Sequence, residues 1–143
     1  MLDFAFLDVQ RTEIATAERE RRRLRGQMAY LSGVAAEESV ETAYRDNGYG
    51  LRDRRWRGKT GEIDLVFEKD GLIVFTEVKK ARSFEAALER LRPPQIARLQ
   101  RAMAEYLAAH GFDSFTDLRF DLALVDATGQ VQVMPNILAD MLV

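Results

Sequence analysis

The chain has 143 residues, 47% of them hydrophobic and 31% charged, which describes one ordinary domain able to bury a single substantial core. Its 21 Lys and Arg against 23 Asp and Glu leave a formal charge of −2, so no overall positive field draws it onto nucleic acid or membrane. Zero Cys removes disulfides, thiolate nucleophiles and the sulfur ligands of structural zinc, and fits a reducing cytoplasm; a single His leaves no His pair for a metal.

No apolar run approaches a membrane span, and Met1-Leu2-Asp3-Phe4-Ala5-Phe6-Leu7-Asp8 carries acids where a secretory signal would carry Lys or Arg. The expected location is therefore cytoplasmic. By elimination, catalysis would use carboxylates, Lys, Arg or hydroxyls, which points to metal-assisted chemistry with oxygen ligands. The neutral total hides two basic stretches, with six bases against two acids over Arg45–Lys59 and seven against two over Lys79–Arg101. An acidic tail follows.

Residues 9–25, ending Arg19-Glu20-Arg21-Arg22-Arg23-Leu24-Arg25, read as a solvated helical extension laced with acid–base pairs, since Val9, Ile14 and Ala17 are sparse for a deep apolar face. We place residues 1–32 in this N-terminal extension and residues 33–143 in the principal domain. From Gly33 to Asn47 a helix is expected, with Val34, Ala36, Val40, Ala43 and Tyr44 on one stripe and Asn47-Gly48 as its stop. At 100° per residue Glu37 falls inside that stripe, and an acid on a buried face needs a partner.

Tyr49–Trp56 is a weak, very basic strand. Ile63–Phe67 and Leu72–Val78 are strong ones joined by Asp70-Gly71, the best hairpin signal in the chain. Phe84–Leu91 suggests a short helix. Pro93-Pro94 opens a longer one with Ile96, Leu99, Met103, Tyr106 and Leu107 at helical spacing, stopped by Gly111. Leu118–Val125 and Val131–Met134 complete the strands. The expected class is α/β, a central mixed sheet flanked by helices.

Alternate strand residues share a face, so Glu62 and Asp64 point one way, and Glu77 and Lys79 share a face on the next strand. A two-residue turn at Asp70-Gly71 would set Asp64 opposite Glu77. Two like charges so placed want a cation, and Mg²⁺ typically takes one or two carboxylates while keeping water and phosphate oxygens. Lys79 could orient a metal-bound water or hold charge developing on phosphorus. Glu37 could reach the same site directly or through a water.

These residues carry a resemblance: Gly33-x-x-Ala36-Glu37, Gly48-Tyr49, Trp56-Arg57, Gly61-Glu62-Ile63-Asp64-Leu65-Val66, Val74-Phe75-x-Glu77-Val78-Lys79 and Leu118-Arg119-Phe120-Asp121. From about Gly33 to Met134 the chain resembles the YraN family, small bacterial proteins with a PD-(D/E)XK nuclease-like fold related to archaeal Holliday junction resolvases. The resemblance implies a restriction-endonuclease-like core binding Mg²⁺ or Mn²⁺. It also implies Asp64, Glu77 and the Val78 carbonyl as metal ligands, Lys79 as catalytic lysine and Glu37 as the helix acid.

The family's Pro-x-(Lys/Gln) at the next helix start corresponds to Pro93-Pro94-Gln95, so Gln95 could face the site. Two positions depart from the pattern: Ala36 stands where Gly is common, and Ala81 where Arg is common, with Arg82 one residue later. The function expected is Mg²⁺-dependent hydrolysis of DNA, including branched DNA. Two rivals stay open: a non-catalytic nucleic-acid or protein-binding module on the same fold, and a metal-dependent ribonuclease. Homodimerisation is expected by analogy, because cutting two strands asks for two sites.

Phosphate binding would fall to Arg52, Arg54, Arg55, Arg57 and Lys59 beside Trp56, a basic run with one aromatic for stacking. The competing reading is an edge strand protected from aggregation by charge. His110, just before Gly111, is expected to cap helix carbonyls, and Arg119 with Asp121 to form a structural ion pair. No phosphate-loop spacing exists around Gly58 and Gly61.

Overall fold

The computed structural model describes residues 4–139. The chain divides after Ala35 into two units. Its elements in order are α1 (Phe4–Asp46), β1 (Gly50–Arg57), β2 (Glu62–Lys69), β3 (Leu72–Lys80), α2 (Phe84–Leu88), α3 (Pro93–Ala109), β4 (Leu118–Val125) and β5 (Val131–Met134).

Helix α1 is one element where two segments were expected. Gly26 and Gly33 each cost a helix interior roughly 1 kcal/mol relative to Ala, but their neighbours Gln27, Met28, Ala29 and Leu31 are adequate helix formers and nothing interrupts the ladder. The helix stops as expected at Asn47-Gly48. Gly48 adopts φ 88°, its N–H donates to the Arg45 carbonyl at 3.0 Å, and the Tyr49 N–H donates to the Tyr44 carbonyl at 3.1 Å.

In the second unit five strands form one mixed sheet in the order β1-β2-β3-β4-β5. Strands β1, β2 and β3 run antiparallel in succession, β3 and β4 are parallel, and β5 closes antiparallel on β4. The parallel pair requires a crossover, which α2 and α3 supply. Asp70 (φ 50°) and Gly71 (φ 82°) both take the left-handed backbone of a type I′ turn. That turn sets Lys69 opposite Leu72 and Leu65 opposite Thr76, the register expected of a two-residue hairpin.

One sheet face carries the last turns of α1. There Ala36, Val40 and Tyr44 bury against Leu65, Phe67, Val74, Ala123 and Val125. On the other face Ala102, Met103 and Tyr106 of α3 pack with Val66, Ile73, Phe75, Phe120, Leu122 and Leu124. Ile73, Val74, Phe75 and Thr76 are fully buried because β3 is central and covered on both faces, which explains its unbroken apolar run. The α/β class with flanking helices is the one the sequence indicated.

A polar knot ties the first core together. Buried Asp121 accepts from Arg119 (2.8 and 2.9 Å), from the Tyr44 hydroxyl (2.6 Å) and from the Asn136 N–H (3.0 Å), and Thr76 donates to the Tyr44 oxygen at 3.1 Å. The Arg119–Asp121 pair is thus structural, as its alternation along one strand suggested. Among the described residues no helix is long and apolar enough to cross a membrane.

Candidate active site

The hairpin turn and the pleat bring Asp64, near the start of β2, to Glu77 of β3, one step beyond the paired Leu65 and Thr76. A side-chain hydrogen bond between the two carboxyls lowers the Asp64 pKa and raises that of Glu77, so Glu77 is the one that holds a proton more readily. The second Asp64 interaction comes from the Val78 backbone N–H at 2.9 Å. Since a strand residue turns its N–H and C=O towards the same neighbour, the Val78 carbonyl lies on that side too. Lys79, sharing a face with Glu77 as the alternation requires, puts its Nζ 3.2 Å from Glu77 Oε1.

Burial dominates the electrostatics of this pair. It raises the Asp64 pKa above the usual carboxylate range, against the pull of the Val78 N–H, Glu77 and Lys79. Glu77 is pushed up to about 8, first by burial and then by the Asp64 charge, with Lys79 opposing. Two carboxyls that must share a proton to coexist offer the position a divalent cation can take instead.

The donor set fits such an ion. Two carboxylates and a backbone carbonyl are all hard oxygen ligands, suited to Mg²⁺ or Mn²⁺. Among the described residues no group of three or more His, Asp or Glu side chains is arranged to hold a metal. A cation held here would take only part of its coordination shell from side chains, leaving the rest to a backbone carbonyl, water or substrate oxygens.

These residues wall an open pocket of about 290 Å³ beneath α3, lined by Glu62, Asp64, Glu77 and Lys79 from the sheet and Leu91, Gln95, Arg98 and Leu99 from the helical side. Gln95 reaches it from the first turn of α3, as its spacing after Pro93-Pro94 indicated, and its Oε1 accepts from the Arg92 N–H at 3.3 Å. Arg98 is a site residue that the sequence reading passed over. Its signal was present, because three residues after Gln95 is the same helix face. Gly61 lies against the Arg98 stem, where an added Cβ would stand 3.2 Å from Cγ.

Glu37 is placed differently. It does not line the pocket; its Oε2 accepts from Arg55 Nε at 2.7 Å. Burial raises its pKa, Arg55 opposes, and the charges of Asp64 and Glu62 raise it further, so it belongs to the electrostatic surroundings of the pair. Arg55 reaches it from a left-handed backbone of φ 49°, a conformation that costs a long side chain on the order of 1 kcal/mol.

The arginines of the basic run on β1 each have an acidic partner, with Arg54 and Arg57 still largely exposed. Arg52 pairs with Glu68 at 2.6 Å and donates to the Tyr106 hydroxyl at 3.1 Å; Arg54 pairs with Glu41 at 2.6 Å and Arg57 with Glu62 at 3.2 Å. A register shift between Leu51 and Asp53 directs the Arg52 side chain into this network. Trp56 packs edge-on against Tyr106 with ring centroids 5.3 Å apart, at the rim of the core. Lys59 follows in a turn pinned by Glu105, whose carboxylate accepts from the Lys59 and Thr60 N–H groups at 2.7 and 2.9 Å.

By contrast, Arg82, Arg92, Arg98 and Arg101 are exposed and make no ion pair with another described residue. His110 caps α3 as expected. Its Nδ1 lies 2.8 Å from the Tyr106 carbonyl, and its ring stacks on Tyr106 at 3.9 Å.

A family model described as Uncharacterised protein family UPF0102 matches residues 36–125, well over half of the chain. The chain belongs to family UPF0102. This is the YraN family of the sequence resemblance. A UPF0102 protein of Roseobacter denitrificans is 49% identical over 115 residues, covering 80% of this chain and 89% of that protein. UPF0102 proteins of Ruegeria pomeroyi (46% over 112 residues; 78% and 91% covered) and Dinoroseobacter shibae (43% over 116; 81% and 87%) are also similar. The matched UPF0102 region contains the Asp64–Glu77 pair, Lys79, Gln95 and Arg98.

Proposed function

We propose that this UPF0102 chain is a Mg²⁺- or Mn²⁺-dependent endonuclease that hydrolyses DNA phosphodiester bonds, with branched DNA among its substrates. The observation that carries the reading is the half-buried Asp64–Glu77 carboxyl pair with Lys79 Nζ 3.2 Å from Glu77, on the wall of an open pocket.

Asp64, Glu77 and the Val78 carbonyl would hold the cation, which when bound supplies Lewis acidity for a water nucleophile and for the phosphate charge. The Val78 N–H keeps Asp64 in one rotamer, so its free oxygen is already aimed. Lys79 Nζ, released from Glu77 once that carboxylate has another partner, donates to the attacking water or to a non-bridging phosphate oxygen. Gln95 offers its amide from the first turn of α3 to position the same water or phosphate.

Strand capture falls to Arg98, which lines the pocket, with the exposed and unpaired Arg82, Arg92 and Arg101 of the same stretch of chain, rather than to the β1 arginines. A guanidinium already satisfied by a carboxylate has to break that pair before it can take a phosphate, whereas an exposed unpaired one exchanges only water. This placement reconciles an acidic protein, of sequence pI about 5.5, with phosphate contacts: the positive charge is local.

The test is cleavage of branched, duplex and single-stranded DNA, with RNA alongside, in Mg²⁺ or Mn²⁺, beside Asp64→Asn and Lys79→Ala. Asp64→Asn retains an acceptor for the Val78 N–H, so the fold persists while cleavage is lost. Retained cleavage in that variant overturns the assigned site. Cutting of RNA alone replaces the substrate, and binding without any cutting replaces the enzyme by a binding module.

A further inference from the structure

The first unit has an apolar pattern of its own, independent of the active site. With α1 continuous, residues 7–31 keep a single helical register in which Leu7, Gln10, Ile14, Ala17, Arg21, Leu24, Met28 and Leu31 fall at alternating three- and four-residue intervals. That is the seven-residue repeat of a coiled coil carried for three and a half heptads, with Leu7, Ile14, Arg21 and Met28 at a and the others at d. Ile14, Leu24, Met28 and Leu31 are 44–69% exposed, although nothing in this unit requires apolar residues on water. Gly26, Arg19 and Arg22 lie on the opposite side, and an added Cβ on Gly26 would meet nothing within 4 Å.

We propose that residues 7–31 pair with the same segment of a second copy of this chain as a parallel two-stranded coiled coil. The spacing identifies the occupant. A 3.5-residue spacing is self-complementary even where it is thinly filled, as here with Gln10 and Arg21 at two of eight core positions, and a polar residue at an a position is a device that holds such pairs to two strands in one register. Charge selects the parallel orientation. In it Glu20 at g meets the partner's Arg25 at e and flanks the partner's Arg21, with Glu13 against the partner's Glu18 as the unfavourable contact. With the strands reversed and Leu7 layered on the partner's Leu31, Glu18 would face its own copy and Glu20 its own copy.

Glu20 now holds Arg23 at 2.6 Å, an exposed pair of the kind that contributes little and is readily exchanged. The segment lies outside residues 36–125 matched by the UPF0102 model.

The experiment is the solution mass of the full chain by light scattering and sedimentation. Wild type and the outer-face variants Arg19→Glu and Arg22→Glu are expected at twice the 16.3 kDa chain mass. Leu24→Glu combined with Met28→Glu is expected at half that mass, with the unfolding transition of the nuclease-like unit unchanged. Because the chain has no cysteine, Ala17→Cys at d should form a disulfide-linked dimer on mild oxidation and Thr16→Cys should not. A monomeric wild type, or a dimer indifferent to the double substitution, overturns the proposal. A dimer in which Ala17→Cys fails to cross-link overturns the parallel arrangement.

Discussion

Replacing Glu77 with Gln isolates the proton that the two carboxyls share. In the folded, metal-free protein Glu77 titrates at about 8, against 4.5 for an ordinary glutamate. Below pH 4.5 folded and unfolded chains both hold the proton. Between 4.5 and 8 the unfolded chain has released it and the folded chain has not, so the folded state binds more protons and stability falls as pH rises, by up to ~1.4 kcal/mol per pH unit. A glutamine has no proton to lose there, and its amide can donate to Asp64 as the protonated acid does.

The unfolding free energy of Glu77→Gln should therefore gain on wild type by on the order of 4 kcal/mol from pH 4.5 to pH 8, and the gap should level off above that. Urea denaturation in the presence of a chelator, at half-unit pH intervals, reads this directly. Adding Mg²⁺ at pH 8 should then stabilise wild type more than the variant, since the cation replaces the proton. A gap independent of pH, or one that closes as pH rises, would refute the shared-proton arrangement.

Neutralising Arg92, Arg98 and Arg101 together to Gln should lower the slope of log affinity against log salt for DNA by roughly 2 to 3, measured by fluorescence anisotropy without divalent metal. Arg54→Gln with Arg57→Gln should leave that slope unchanged, and the reverse result would return strand binding to β1. Tyr44→Phe removes the donor to buried Asp121 and the acceptor of Thr76, and should cost about 2 kcal/mol in chemical denaturation. Gly58→Ala drives a methyl into the Trp56 ring and the Glu105 carboxylate that pins the 58–61 turn. It should cost roughly 1–3 kcal/mol and lower the thermal midpoint correspondingly.

The Asp64–Glu77–Lys79 cluster was legible in the sequence because every step leading to it is local. Asp70-Gly71 specifies a two-residue turn, the turn specifies the register up to Leu65 and Thr76, and its continuation brings Asp64 to Glu77 with Lys79 on the same face as Glu77. The strand limits of β4 and β5 were read correctly for the same reason, from apolar alternation bounded by turn residues. Continuity of α1 was not legible, since two interior glycines look like punctuation while their cost is spread over a long helix.

What the sequence could not decide is how its charges pair. Six bases between Arg45 and Lys59 look like a phosphate-binding strip when read alone. Folding brings Glu37 and Glu41 of α1 and Glu62 and Glu68 of β2 against them, at separations that only a helix packed on a sheet creates. The same packing diverts Glu37 from the pocket to Arg55 and swings α3 across the sheet so that Gln95 and Arg98 overlook the carboxylates. Residue spacing along one strand fixes which groups share a face. The choice of ion-pair partner depends on distances between elements far apart in the chain, and these exist only once both cores have closed.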